Sequence, residues 1–204
     1  MKIGIIGAGN IGGNLGKLWA AKGHEILFGV RDPQSSKTRA ALAALGEKAR
    51  AGSIAEAAAF VEVVVLAVPW AAVREAIRSA GDLGGKILID ANNRLTPPLP
   101  ADGPSAAEDV ARMANGARVF KAFNTLGAET LLESQFGSER ATTFVCGDDP
   151  HAKAVVMRLA ADTGLDVVDA GPLSNAALVE SLTRLWIQLS RSMGRGIAFR
   201  LLRR

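Results

Sequence analysis

Apolar residues cluster along this chain in short runs that alternate with stretches of helical spacing. Glycine or proline closes most of the runs. Lys2–Ile6 is a short apolar strand ending in glycines, after which Ile11, Leu15, Leu18 and Trp19 recur at helical intervals up to Gly23, a natural stop. His24–Val30 reads as a second strand, Ser36–Leu45 as an alanine-rich helix and Ala49–Gly52 as a short third strand. Val61–Val68 is apolar along nearly its whole length, as a strand buried on both faces of a parallel sheet should be, and Pro69 closes it. Lys86–Ala91 and Val119–Asn124 follow as fifth and sixth strands. Between them, Asn92–Ser105 holds four prolines and reads as an exposed loop, with a helix from about Ser105 to Ala114. Thr142–Gly147, a helix near Pro150–Thr163 and Leu165–Asp169 add a further βαβ-like unit. Gly171–Asn175 is a turn and cap that leads into a C-terminal helical segment over about 174–204.

This alternation predicts an α/β chain: a Rossmann-type, doubly wound, mainly parallel sheet with a small C-terminal helical extension. No repeat or low-complexity linker divides it, so residues 1–204 are read as one domain. The 204 residues are 49% hydrophobic and 22% charged, which excludes disorder, and the single Cys146 excludes a disulfide scaffold. The longest strongly apolar run, Val63–Val73, is too short to span a bilayer, and MKIGIIGAGN lacks the apolar stretch of a signal peptide. No membrane association and a cytoplasmic location are expected.

The formal charge of +4 is unevenly placed. Of 24 Lys and Arg residues, six arginines (Arg184, Arg191, Arg195, Arg200, Arg203 and Arg204) follow Glu180, which leaves 18 basic against 20 acidic side chains before them. Such a run is expected to be a solvated helix face. A nucleic-acid partner is not expected: there is no tyrosine, aromatics are 5%, and no basic–aromatic stripe offers a stacking surface.

Gly7-Ala8-Gly9-Asn10-Ile11-Gly12 matches G-x-G-x-x-G between a strand and a helix, the context that dinucleotide binding requires. The first glycine permits a tight turn, the second lets backbone approach a pyrophosphate, and the third lets helix and strand pack closely. The helix N-terminus supplies N–H groups and positive potential. Val30 and Arg31 end the second strand, where a guanidinium suits the 2′-phosphate of NADP bidentately. Asp32, one residue on, would instead suit the ribose 2′-OH of NAD, and Ser35, Ser36 and Lys37 are further phosphate donors.

Ligands of open α/β sheets lie beyond the carboxyl ends of the strands, and three further ends are chemically suggestive. Val68-Pro69-Trp70 offers a fixed turn and a large ring to wall a nicotinamide, although Trp70 at a helix start is also an ordinary packing residue. Asn92 and Asn93, and Asn124 and Thr125, suit a carboxamide or ribose, yet asparagine is also a common turn former. His24 and His151 are expected at the surface, and Cys146 in the core. No acid–base or nucleophilic constellation stands out, so catalytic residues are unassigned, and no cluster has metal-ligand spacing. Hydride transfer between two bound cofactors needs chiefly positioning and exclusion of water.

Arg31, Val68-Pro69-Trp70, Cys146-Gly147-Asp148-Asp149, the Asp169–Asn175 segment and Val179-Glu180-Ser181-Leu182 narrow the choice of family. Over nearly its whole length the chain resembles the NADP-dependent oxidoreductases of the deazaflavin coenzyme F420 and their bacterial dinucleotide-binding relatives. The resemblance implies NADP on Gly7–Gly12, Val30-Arg31 and Val68–Trp70; Asn92, Asn124 and Ala128 are further candidates for cofactor binding. It also implies coenzyme F420 or a flavin as second substrate, bordered by the segment near Met193–Ile197, and a homodimer. Asn124-Thr125-Leu126-Gly127-Ala128 stands where the deazaflavin enzymes usually read His-Thr-Ile-Pro-Ala. That departure leaves the NADP half of the carry-over intact and the second substrate open. Two other functions stay in view: a non-catalytic NADP-binding sensor or partner subunit, and a small-molecule carbonyl or imine reductase.

Overall fold

The computed structural model describes residues 1–43, 45–95 and 104–204. β1 (Lys2–Ile6), α1 (Asn10–Ala21), β2 (Glu25–Gly29), α2 (Ser36–Ala43), β3 (Ala49–Gly52) and α3 (Ile54–Ala59) build one half of the sheet. β4 (Val63–Leu66), α4 (Val73–Ala80), β5 (Ile87–Asp90), α5 (Ala106–Met113) and β6 (Arg118–Lys121) build the other. There follow α6 (Ala128–Leu132), a hairpin of β7 (Gln135–Phe136) and β8 (Glu139–Arg140), then β9 (Thr142–Gly147), α7 (Pro150–Ala161), β10 (Asp166–Asp169) and α8 (Ala176–Met193). The eight-stranded order is β10-β9-β6-β5-β4-β1-β2-β3. β1 to β6 are parallel, β9 runs antiparallel to β6, and β10 is parallel to β9. The order reverses between β1 and β4, so the crossover helices leave to opposite faces and open a crevice at those strand ends.

The apolar run at β4 is explained by two cores. Val63 and Val65 pack in one buried cluster with Leu15, Trp19 and Phe28, while Val64 and Leu66 face a second with Val73, Ile77 and Val110. Successive side chains of a strand point to opposite faces, so the middle of a strand covered on both sides is apolar on both.

Several expectations need correction. The C-terminal helix stops at Met193, and residues 194–204 form neither helix nor strand. Of the six arginines only Arg184 and Arg191 stand on α8; Arg195 pairs with Glu129, and Arg200 with Glu139 and Asp166. Arg195 and Arg200 strap the tail to the body, while the exposed Arg184 and Arg191 lie on the helix surface as expected. Trp186 Nε1 donates to the carbonyl of Ile197 at 2.9 Å, and the Thr142 N–H to that of Phe199 at 2.8 Å. His24 is buried rather than exposed: Nδ1 lies 3.1 Å from the N-terminal amine and Nε2 3.0 Å from Asp162 Oδ2, docking α7 beside β2. His151 is exposed, as expected. The loop after β5 starts and finishes on buried residues, Asn92 and Ser105, and is exposed at Leu95 and Pro104, while Pro97, Pro98 and Pro100 lie outside the described residues. The sixth strand ends at Lys121, three residues early.

α3, α4, α6 and the β7–β8 hairpin went unread in the sequence. α3 carried a legible sign: Ser53 Oγ accepts the Glu56 N–H at 3.2 Å and Glu56 Oε2 accepts the Ser53 N–H at 2.6 Å, a capping box. A six-residue, alanine-rich helix has too little apolar periodicity to show otherwise.

Candidate functional site

The three glycines of the β1–α1 turn do different work. Gly7 has φ 105°, and a Cβ there would come within 2.4 Å of the Ala67 carbonyl oxygen. A Cβ at Gly12 would lie 2.1 Å from the Gly7 carbonyl oxygen. The fold itself therefore requires both. Gly9 is different: its φ of −78° suits any residue, and a Cβ would meet nothing within 4 Å. Its smallness serves whatever approaches from outside. Gly9 is also the N-cap of α1, and no side chain caps that helix end or places an acid in its first turn. Uncapped N–H groups with clear space above them form an anion cradle. The residues present fit the pyrophosphate of a dinucleotide. Ala8 and Ile11 are half-buried beside the cradle and Asn10 is exposed.

At the end of β2, Val30 is half-buried and its N–H donates to the Gly52 carbonyl at 3.0 Å. Arg31 is exposed and forms no ion pair among the described residues. Asp32 is turned into its own loop, where Oδ1 accepts the Gln34 N–H at 2.9 Å. Ser35 Oγ is 2.8 Å from Thr38 Oγ1 and accepts the Thr38 N–H at 3.2 Å, capping α2. The guanidinium, not the carboxylate, is the charged group left for a ligand.

Beyond β4, Pro69 leads into a 3-10 turn at Trp70–Ala72, and Trp70 is half-buried. The Val68 N–H donates to Asn92 Oδ1 at 2.9 Å. The Arg94 guanidinium lies 5.4 Å from the centre of the Trp70 ring, held by Asp109 and the Pro104 carbonyl. Asn92 is itself buried, with its side-chain N–H₂ donating to Asp90 Oδ1 at 2.8 Å.

β6 ends in strain. Phe123 has φ 61°, the one non-glycine residue with positive φ among those described, and is buried edge-on to Trp19. A bulky residue in the left-handed region costs about 1–3 kcal/mol, and such strain gathers at functional sites. It presents Asn124 and Thr125, both buried. Asn124 Nδ2 donates to Thr183 Oγ1 at 2.8 Å, while Asn124 Oδ1 and Thr125 Oγ1 are two of four buried side-chain polar atoms without a partner among the described residues. The Ala128 carbonyl accepts from Asn14 Nδ2 at 2.8 Å, which ties α6 to α1. Gly127 has a packing reason: a Cβ would lie 3.1 Å from the Trp186 ring and 2.6 Å from Glu129 Oε2. Arg195 holds the Glu129 carboxyl below its ordinary range through a hydrogen bond.

Sequence reasoning missed the charges beneath this site. Lys121 and Asp90 are fully buried and paired at 2.9 Å, and Glu180 Oε1 lies 3.2 Å from the same ammonium. Glu180 also accepts the Ala106 and Ala107 N–H groups at 3.0 and 3.2 Å, at the start of α5. Charged residues closing the apolar strands Ile87–Asp90 and Arg118–Lys121 were the available sign.

Residues 2–94 match the family model described as NADP oxidoreductase, coenzyme F420-dependent. The chain is 32% identical to the F420-dependent NADP reductase of Methanothermobacter marburgensis, over 93% of this chain and 92% of that protein. It belongs to this family. The membership bears out the resemblance drawn from Arg31, Val68–Trp70 and the C-terminal motifs. A solved structure of a candidate family member from Arthrobacter sp. FB24 superposes with a TM-score of 0.89 at 31% identity, covering 100% of both chains. Metalloreductase STEAP3 of Rattus norvegicus is 29% identical over 89% of this chain, which spans 36% of that longer protein. Among the described residues of this family member, no helix is long and apolar enough to cross a membrane.

Proposed function

We propose that this chain is an NADP-dependent oxidoreductase that passes hydride between NADP(H) and the deazaflavin coenzyme F420. The observation that carries the nucleotide half is the clear, uncapped space over Gly9. Support for the deazaflavin comes from the full-length likeness to a reductase named for it.

In this reading the N–H groups at the start of α1 hold the pyrophosphate, with Gly7–Gly12 as its cradle. Arg31 pairs with the 2′-phosphate, while Ser35 orders the loop that carries it. Val68, Pro69 and Trp70 wall the nicotinamide. Asn124 and Ala128 border the opposite side of the cleft, and Asn92 stands behind Val68. The two cofactors supply the hydride and its acceptor; the chain binds them, sets their distance and keeps water out. No side chain needs to titrate for the transfer itself.

We further propose a homodimer and a cytoplasmic location. α8 buries one face through Ala176, Val179, Thr183 and Trp186 and leaves Leu178, Leu185 and Met193 exposed, with Leu182 and Leu189 half-buried between them. A second copy packed on that stripe would cover it. Light scattering should then report twice the chain mass, and Leu185→Glu should halve it.

The decisive experiment mixes purified protein, NADPH and F420 without oxygen and follows loss of the deazaflavin's visible absorbance, with FMN in parallel. Rapid bleaching of F420 alone is expected. NADPH binding without bleaching of either would remove the deazaflavin half and favour the sensor reading. The ion pairs of Arg195 and Arg200 speak against that reading, because they spend charge an acidic partner would need.

A further inference from the structure

The buried polar groups at the ends of β5 and β6 form one connected chain that reaches the cleft. Lys121 donates to Asp90 Oδ2 at 2.9 Å and to the Asn92 carbonyl at 2.6 Å, and lies 3.2 Å from Glu180 Oε1. Two of these contacts are hydrogen bonds, and Glu180 completes the ammonium's surroundings as an ion pair. Asp90 Oδ1 then accepts both the backbone N–H of Asn92 at 3.0 Å and its side-chain N–H₂ at 2.8 Å. An ionised carboxylate can only accept and a backbone N–H can only donate. The Asn92 amide therefore has one orientation, with Nδ2 toward Asp90 and Oδ1 toward the Val68 N–H.

The next two residues repeat the arrangement. Asn93 Nδ2 donates to the Asn124 carbonyl at 3.1 Å, and Arg94 lies over Trp70. Three consecutive residues thus hold three pieces of the cleft: Val68, the end of β6 and the Trp70 ring. One ammonium between two carboxylates leaves a net negative charge, which the start of α5 offsets through its N–H groups on Glu180. Burying such ions costs several kcal/mol, and apolar side chains would fill the space more cheaply. What they add is one fixed geometry.

We propose that Asn92 is a positioning residue for hydride transfer: it sets Val68–Trp70, and so the nicotinamide's distance from its acceptor, without touching the nucleotide. This rests on the reading that Val68–Trp70 walls the nicotinamide. A misplacement of about 1 Å costs transfer on the order of 100-fold, while binding energy drawn from the pyrophosphate and 2′-phosphate is untouched.

The test compares Asn92→Ala, Asn92→Asp and Trp70→Ala with the parent, by NADPH titration, the emission lifetime of bound NADPH, and single-turnover reduction of F420. For Asn92→Ala we expect an NADPH Kd within about threefold of the parent and a transfer rate lower by about 10- to 100-fold. The lifetime of bound NADPH, which needs no acceptor, should shorten. Asn92→Asp is nearly isosteric. When protonated, its carboxyl donates to Asp90 and its carbonyl accepts from Val68, as the amide did. When ionised, it faces Asp90, with Glu180 and Lys121 behind. Its rate relative to the parent should therefore recover from about pH 8 to about pH 6, while that of Asn92→Ala stays flat. This profile also decides the matter if Asn92→Ala fails to fold.

Parental rate and lifetime in Asn92→Ala, with slowing in Trp70→Ala, would overturn the positioning role alone. Parental behaviour in both would overturn the placement of the nicotinamide against Val68–Trp70. Loss of NADPH affinity by more than about tenfold in Asn92→Ala would make Asn92 a direct ligand and overturn the proposal. So would a flat pH profile in Asn92→Asp.

Discussion

Gly9→Ala separates a glycine kept for a ligand from glycines kept for the fold. The new Cβ meets nothing within 4 Å, and φ −78° is open to alanine. Gly→Ala at a compatible position stabilises by about 0.4–1 kcal/mol through the unfolded chain. Alanine is a poorer N-cap than glycine by a few tenths of a kcal/mol or somewhat more. The two effects nearly cancel, so the apoprotein should melt within about 2–4 °C of the parent. Binding should behave otherwise. A methyl in the cradle holds the pyrophosphate off the helix start, and a charge-assisted hydrogen bond is worth about 1.5–3 kcal/mol. Losing two of them is about 3–6 kcal/mol, or on the order of 10²- to 10⁴-fold in NADPH Kd. Gly12→Ala is the contrasting control, because its Cβ would lie 2.1 Å from the Gly7 carbonyl oxygen, and it should lower the melting temperature itself. Melting curves and NADPH titrations on both variants measure these effects. Unchanged NADPH affinity in Gly9→Ala, or melting as low as that of Gly12→Ala, would refute the reasoning.

Arg31→Ala should weaken NADPH by about 1.5–3 kcal/mol and NADH hardly at all; equal weakening in a paired titration would show that Arg31 does not meet the 2′-phosphate. Lys121→Met leaves Asp90 and Glu180 buried without their cation and should cost about 3–5 kcal/mol in urea unfolding, far more than an exposed Arg184→Met. Burial pushes the Cys146 thiol from 9.0 up to about 11, so native protein should resist a thiol reagent near neutral pH and react once unfolded. Because that pKa is raised on folding, its contribution to stability is complete below pH 9.0 and fades as pH rises toward 11, visible as a urea midpoint that falls more steeply with pH in the parent than in Cys146→Ala across that window.

The sheet was legible because its signals are local. Lys2–Ile6, Ala49–Gly52 and Thr142–Gly147 form at their expected boundaries, since a buried strand must be apolar over a few adjacent residues and glycine or proline must end it. The glycine turn was legible for the same reason. The extent of the C-terminal helix was not, because Arg195 and Arg200 are chemically able to continue a helix. Their partners Glu129, Glu139 and Asp166 lie tens of residues away, and those pairs hold the tail against the body.

By itself the sequence determined the alternation of strands and helices, the glycine-rich turn and the guanidinium at the end of β2, all fixed by spacing within a dozen residues. Only the tertiary structure decided which glycine the fold requires, because Gly9 and Gly12 differ in what stands over them, not in the residue. It alone decided that Asp32 folds back into its own loop. It alone joined Asp90, Asn92, Lys121 and Glu180, residues from two strand ends, a loop and the last helix. Hydrogen bonds and ion pairs act over about 3 Å of space whatever the separation along the chain, so a buried network leaves no period or motif to read.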